Sequence, residues 1–242
     1  MTNKITYKKF GENAILIEWK PIIDKNILSD IITYKEKILQ SDLEYLDIIQ
    51  SYNSLTIVFN FKINKVKNKI FKLQSIYSST LEIEKKTLYK WEIPVCYDLD
   101  FGIDLQEISN KLKISIDKII KLHTAPTYTI FFIGFLPGFF YLGGLDKKLF
   151  FDRKSTPRLH VDKGTVAIGG MQTGIYPNNS AGGWNIIGKT PIDLFNANKE
   201  NPCFAKAGDE IKFRSISKEE FYQIEKDITV NVFKIHKTLK YD

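Results

Sequence analysis

The residues of this chain best suited to recognising a small molecule lie between Phe131 and Pro191. Phe131-Phe-Ile-Gly-Phe-Leu-Pro-Gly-Phe-Phe-Tyr-Leu-Gly-Gly-Leu145 is followed by Thr156-Pro-Arg158, Gly169-Gly-Met-Gln-Thr-Gly-Ile-Tyr-Pro177 and Gly182-Gly-Trp184. Eleven of the fourteen glycines fall within Gly134–Gly188. Glycine accepts positive φ and lets other groups approach the backbone, so such clustering marks tight turns or a ligand-facing surface. The interleaved aromatics, Gln172, Thr173 and Arg158 suit a pocket with stacking faces, polar readers and one fixed cation. Phe139, Tyr141, Tyr176 and Trp184 are the candidate walls; Gly134, Pro137, Gly138, Gly182 and Gly183 turn the chain around them. Arg158 is one of three arginines, and its planar fork suits a carboxylate or phosphate. The competing role is a structural pair with Asp152 or Asp162. Gln172 and Thr173 are placed either to read an amide or lactam or to satisfy the backbone of their own bend. His123, at an expected helix end, is a further polar contributor or else a cap or core residue.

Other chemistries lack their residues. No Gly-Lys-Ser/Thr follows the Gly134 block, and no strand-then-helix with a later acidic residue surrounds it, so neither a P-loop nor a dinucleotide fingerprint is present. There is no Gly-x-Ser-x-Gly elbow and Ser180 has no evident base. Three scattered histidines without an HExxH predict no bound metal. Cys96 and Cys203 have no metal-type spacing and read as two unpaired thiols. The net charge of +7 comes from lysines spread along the whole chain, which argues against a nucleic-acid surface. No apolar run reaches the roughly 20 residues of a membrane span, and the first residues lack a signal-peptide core, so a cytoplasmic protein without membrane contact is expected.

Positioning these residues falls to two expected domains. Residues 1–90 predict an α+β domain with a strand at Ala14–Glu18, a helix from about Asn26 to Gln40, and strands at Tyr45–Gln50 and Leu55–Phe59. A helix carrying Val66, Ile70, Leu73 and Tyr77 and a last strand near Leu88–Val95 complete it. The order β-α-β-β-α-β matches a ferredoxin-like arrangement. Residues 91–242 open with two short helices, one started by an Asp104-Leu-Gln-Glu107 capping box and one capped by Ser115 and stopped by Pro126. Strands then follow at Tyr128–Ile133, Gly164–Gly169, Trp184–Lys189 and Glu210–Ser215, with a capping box at Ser217–Glu220 and a closing strand at Ile228–Ile235. Many short strands with Gly/Pro turns predict a barrel or a sandwich.

Taken together, Gly134–Leu145, Thr156–Arg158, Gly164–Ile168, Gln172–Pro177, Gly182–Pro191 and Ala207–Phe213 resemble the blocks of the family of 5-oxoprolinase B subunits. That family also carries the KipI-type kinase inhibitors and the allophanate hydrolase subunit 1 proteins. Asp162, Ala181 and Ala207 stand where the family usually has proline, which should loosen turns without removing a functional group. The resemblance implies an all-β cyclophilin-like barrel for the second domain. It also implies a non-autonomous protein that forms part of an active site with a homologue of the 5-oxoprolinase C subunit and works with a homologue of the A subunit. Together they would open 5-oxoproline (pyroglutamate) to L-glutamate using magnesium-bound ATP, since phosphorylating the lactam oxygen creates a leaving group before ring opening. The resemblance carries two alternatives: inhibition of a sporulation histidine kinase, and action on urea- or allophanate-type amides. A prolyl isomerase, suggested by the implied fold alone, has no sequence motif here.

Overall fold

A hairpin begins the chain, with β1 (Thr6–Phe10) and β2 (Ala14–Glu18) turning at Gly11, whose φ is +64°. Helix α1 (Lys25–Leu39) follows, its first turn held by the Asp24 carboxylate, which accepts from the amides of Asn26 and Ile27. Then come β3 (Asp47–Gln50), β4 (Ser54–Val58) and α2 (Val66–Ser78). The four strands form an antiparallel sheet in the order β1-β2-β4-β3. Ile15, Ile17, Leu55 and Ile57 bury one face with Ile31, Tyr34 and Leu73 of the helices. These elements make up the first of two compact units, Met1–Lys86 and Thr87–Asp242, and the structure, a computed structural model, describes residues 5–84 and 86–240.

The expected β-α-β-β-α-β order is therefore corrected to β-β-α-β-β-α. The strand expected to close this unit, β5 (Tyr89–Cys96), pairs in the second unit, and β1 holds the edge beside β2. Strand β1 escapes notice because Thr-Tyr-Lys-Lys-Phe is a mostly exposed edge strand whose lysines protect an open ladder instead of marking a core.

The second unit continues with α3 (Leu105–Leu112), α4 (Ile116–Thr124), β6 (Tyr128–Ile133), β7 (Phe140–Gly143) and β8 (Arg158–Val161). Strands β9 (Thr165–Gly169), β10 (Gln172–Ile175), β11 (Ser180–Gly182) and β12 (Asn185–Lys189) come next. It ends with β13 (Glu210–Ile216), α5 (Lys218–Thr229) and β14 (Lys237–Leu239). Strands run β12-β9-β10-β7-β6-β13-β5, and pairing of Lys189 with Cys96 joins β12 back to β5, closing a seven-strand barrel. Among the described residues only β13 and β5 pair in parallel; β14 flanks β5, and β8 with β11 forms a separate two-stranded ribbon.

Period-two alternation sorts the side chains between the two faces of the barrel wall. Phe140, Leu142, Val166, Ile168, Ile175, Ile187 and Phe213 fill the interior. Phe139, Ala167, Tyr176 and Ile186, their chain neighbours, face the other way and join Trp184 and Val161 in a second, smaller core.

Two helix-start expectations hold, since Ser115 Oγ accepts from Lys118 N and Ser217 Oγ from Glu220 N. Two others are corrected. Asp104 forms no side-chain cap on α3, because its carboxylate is drawn into the contacts described below. Ile228–Ile235 is not a strand: α5 runs on to Thr229, Asn231 turns the chain at φ +58°, and β14 starts only at Lys237. Cys96 and Cys203 are free thiols, and burial pushes both pKa values up. Among the described residues, no helix is long and apolar enough to cross a membrane.

Candidate functional site

The four candidate aromatic walls do meet, but as a packed core. Ring centroids of Phe139 lie 4.8 Å from Tyr141, 5.2 Å from Tyr176 and 5.5 Å from Trp184, and Tyr141 and Trp184 are 5.9 Å apart. Phe139, Tyr176 and Trp184 are buried; Tyr141 is half-buried and stacks on Phe132 at 4.2 Å. The glycines serve this packing. A side chain at Gly182 would overlap the Tyr176 hydroxyl, and one at Gly169 would sit 2.6 Å from the Trp184 indole nitrogen. The Gly134–Phe139 loop folds on itself through Phe139 N to Leu136 O at 3.0 Å, with Pro137 exposed and Gly138 buried at φ +86°.

His123 and Thr173 lie on the other side of the wall. Both are fully buried, with His123 stacked on Phe213 at 4.6 Å. Thr173 Oγ1 donates its single proton to Ala167 O at 3.0 Å, so His123 Nε2, 2.9 Å away, must donate to Thr173. That leaves His123 Nδ1 to accept from the Tyr97 hydroxyl at 2.7 Å. Burial alone pushes the His123 pKa down from 6.5 to about 3, so the ring is neutral. The relay uses both ring nitrogens and the threonine proton. The expectation that His123 and Thr173 contact a substrate is corrected accordingly: they are core groups with nothing left to offer.

Arg158 begins β8 and meets a partner other than the two expected. Its Nη2 donates to Asp104 Oδ1 at 2.7 Å, and its Nη1 is buried without a partner among the described residues. Asp104 is buried beneath a convergence of charge: Lys154 Nζ lies 3.1 Å from Oδ1, and Ile186 N donates to Oδ2 at 2.7 Å. Lys154 also pairs closely with Glu107, which in turn binds Lys111 at 2.8 Å. The Lys111 and Lys154 contacts hold the Glu107 carboxyl down at about 2. The cluster alternates cation and carboxylate, so Arg158 is largely neutralised where it stands.

Beside this cluster opens a cleft of about 590 Å³, lined by Glu107 and Lys111 of α3, the Phe150–Ser155 segment, Met171 and Asn185. The segment is held firmly. Phe151 pairs with Gly170, Lys154 N donates to Gly183 O at 2.7 Å, and Asn185 Nδ2 donates to Asp152 O at 2.8 Å. Asn185 Nδ2 also reaches Ile168 O at 3.3 Å, and two carbonyls on that side fix the orientation of the amide. Its Oδ1 is then a buried acceptor with no donor among the described residues. Arg153 lies over the Trp184 ring at 5.4 Å, and its positive charge lowers the Tyr141 pKa against the larger upward push of burial. Gln172, at the start of β10 beside Met171, likewise has a buried Oε1 without a partner among the described residues.

Sequence reasoning thus missed Asp104, Arg153, Lys154 and Asn185. A signal for two of them was present, as Arg153, Lys154 and Arg158 put three cations into six residues of an arginine-poor chain. Asp104 was masked by its resemblance to a cap, and Asn185 by its neighbour Trp184.

Around this closed mixed barrel and its charged cleft, the family described as carboxyltransferase domain, subdomain C and D, matches residues 5–205. The 5-oxoprolinase B subunit of Bacillus subtilis is 30% identical over 236 residues, covering 92% of this chain and 97% of its own. That of Haemophilus influenzae is 38% identical over 175 residues, covering 72% of this chain and 81% of its own. The chain therefore belongs to the carboxyltransferase C and D family, among its 5-oxoprolinase members of the B type. The urea amidolyase of Kluyveromyces lactis shares the fold, with a TM-score of 0.82 at 21% identity over 98% of this chain and 16% of that one.

Proposed function

We propose that this chain is the B subunit of an ATP-dependent 5-oxoprolinase and contributes part of the site where 5-oxoproline is opened to L-glutamate. The observation that carries this reading is the match, over almost the full length of both chains, to a relative of that name. The cleft supports it in kind. It offers fixed charges and an unpaired amide acceptor, the equipment to hold a small polar substrate, but no serine or cysteine paired with a base. Such a site binds and orients, and leaves activation to a partner.

ATP would supply the phosphoryl group that makes the lactam oxygen a leaving group. The cations here do not fit a triphosphate: Lys154 and Arg158 share Asp104, Lys111 and Lys154 share Glu107, and Arg153 alone is left without a carboxylate among the described residues. Nucleotide binding is accordingly assigned to the partners, homologues of the C and A subunits, in a cytoplasmic complex. Within this reading Arg158 is a positioning residue that braces Asp104 against Ile186, and Gln172 is a candidate amide reader. The cyclophilin-like assignment of the barrel goes with the same reading and is supported by its closed form.

A second substrate class, urea-type amides, is favoured by a urea amidolyase of Lachancea kluyveri that is 24% identical over 94% of this chain and 14% of its own length. Reconstitution separates the two. The chain, alone and mixed with homologues of the A and C subunits, is assayed for phosphate release with 5-oxoproline or urea. Glutamate formation only in the mixture is expected. A co-purifying complex that ignores 5-oxoproline would overturn the assignment, and turnover of urea would replace it.

A further inference from the structure

We infer that the cleft between α3 and the Phe150–Ser155 segment is where the carboxylate-bearing lactam sits, with Arg153 taking the carboxylate and Asn185 Oδ1 accepting the lactam N–H. The inference rests on the reading of this chain as part of a 5-oxoprolinase and adds which residues recognise the substrate.

Two independent features select these residues. Asn185 lines the cleft at 0% exposure, its amide oriented by two carbonyls, and its oxygen lacks a donor among the described residues. Leaving a buried acceptor unpaired is costly, so an N–H group that enters this site recovers what the fold leaves unsatisfied. A lactam carries one N–H; a carboxylate or phosphate alone carries none.

Arg153 supplies the second feature. Of the cations lining the cleft, Lys111 and Lys154 are committed to Glu107, and Lys154 to Asp104 as well. Arg153 forms no carboxylate pair among the described residues and lies exposed over the Trp184 ring. The ring orients the guanidinium without neutralising it, leaving its fork open to a carboxylate.

The fold also ties each of the two to the other's chain neighbour. Asn185 holds Asp152, the neighbour of Arg153, while Arg153 rests on Trp184, the neighbour of Asn185. The two groups are braced by each other's neighbours, so the cleft presents an acceptor and a cation on one rigid frame. Urea has no carboxylate, which makes Arg153 the residue that separates a 5-oxoproline site from a urea site.

The test has two arms. In the first, isotope-labelled full chain is titrated with 5-oxoproline and with 2-pyrrolidinone, the same lactam without its carboxylate, following the Asn185 side-chain amide and the Trp184 indole signals. Arg153→Gln should weaken 5-oxoproline binding about tenfold or more and leave 2-pyrrolidinone unchanged, with Arg153→Lys intermediate. In the second, the assembled complex should show the KM for 5-oxoproline raised about tenfold by Arg153→Gln with kcat nearly unchanged, while Arg214→Gln, an equal loss of charge elsewhere on the barrel, changes neither. Equal weakening of both lactams, or a KM that Arg153→Gln leaves alone, would overturn the inference. A silent wild-type complex whose chain still binds 5-oxoproline through Arg153 would keep the site and discard the enzymatic reading.

Discussion

Two sets of buried polar groups in the barrel unit are treated in opposite ways. Inside, Tyr97, His123, Thr173 and the Ala167 carbonyl form a closed relay in which each proton has one acceptor. Elsewhere in the same unit, Arg158 Nη1, Gln172 Oε1 and Asn185 Oδ1 are buried with no partner among the described residues. A satisfied network stabilises and specifies the core but has nothing with which to address a ligand. Unsatisfied groups cost stability, and each calls for a partner that the fold itself does not supply. The comparison also explains why His123, the residue type most often recruited for proton transfer, is inert here, while Asn185, across Ile168 from Thr173 in the sheet, carries the recognition.

Breaking the Asp104 cluster at its hub should have the largest effect. Asp104→Ala leaves Arg158 and Lys154 facing each other over a buried space and strips Ile186 N of its acceptor. A loss of about 3 kcal/mol is expected from urea denaturation, and a loss under about 1 kcal/mol would show that the cluster is not a structural hub.

The inner relay should come next. His123→Leu strands the Tyr97 and Thr173 hydroxyls at a cost of about 2 kcal/mol, read from the same denaturation curves. It should also change the pH dependence. Between pH 6.5 and about 3 the unfolded chain protonates His123 and the folded chain does not, so wild-type stability is fully present above 6.5 and falls as pH drops through that window. The variant should lose this component of the slope; an unchanged slope would mean that other groups produce it.

Gly182→Ala forces the Tyr176 ring to move and should cost about 1–2 kcal/mol, seen as a lower melting temperature. Smallest of all, Arg153→Gln should shift stability by no more than about 0.5 kcal/mol, because the side chain is exposed and pairs with no carboxylate among the described residues. A large loss of stability there would move Arg153 from recognition to architecture.

The sequence by itself determined the local features. Tyr128–Ile133 reads as a strand because its apolar residues leave it little else to be, and it forms with those bounds. Ser115 and Ser217 cap helices because the bond closes within three residues. The Gly-rich aromatic blocks marked the right region and the right family. What only the tertiary structure decided were relations between distant positions. Strand β5 joined the barrel because β13, some 120 residues later, offered a parallel partner. Asp104 abandoned a local cap because Arg158, 54 residues away, and the Ile186 amide, 82 away, compete for the same carboxylate. Asn185 is a recognition candidate because two distant carbonyls occupy its donor and no described residue reaches its oxygen. Periodicity and capping are written in neighbouring residues, whereas the satisfaction of a buried polar atom depends on everything the fold brings beside it.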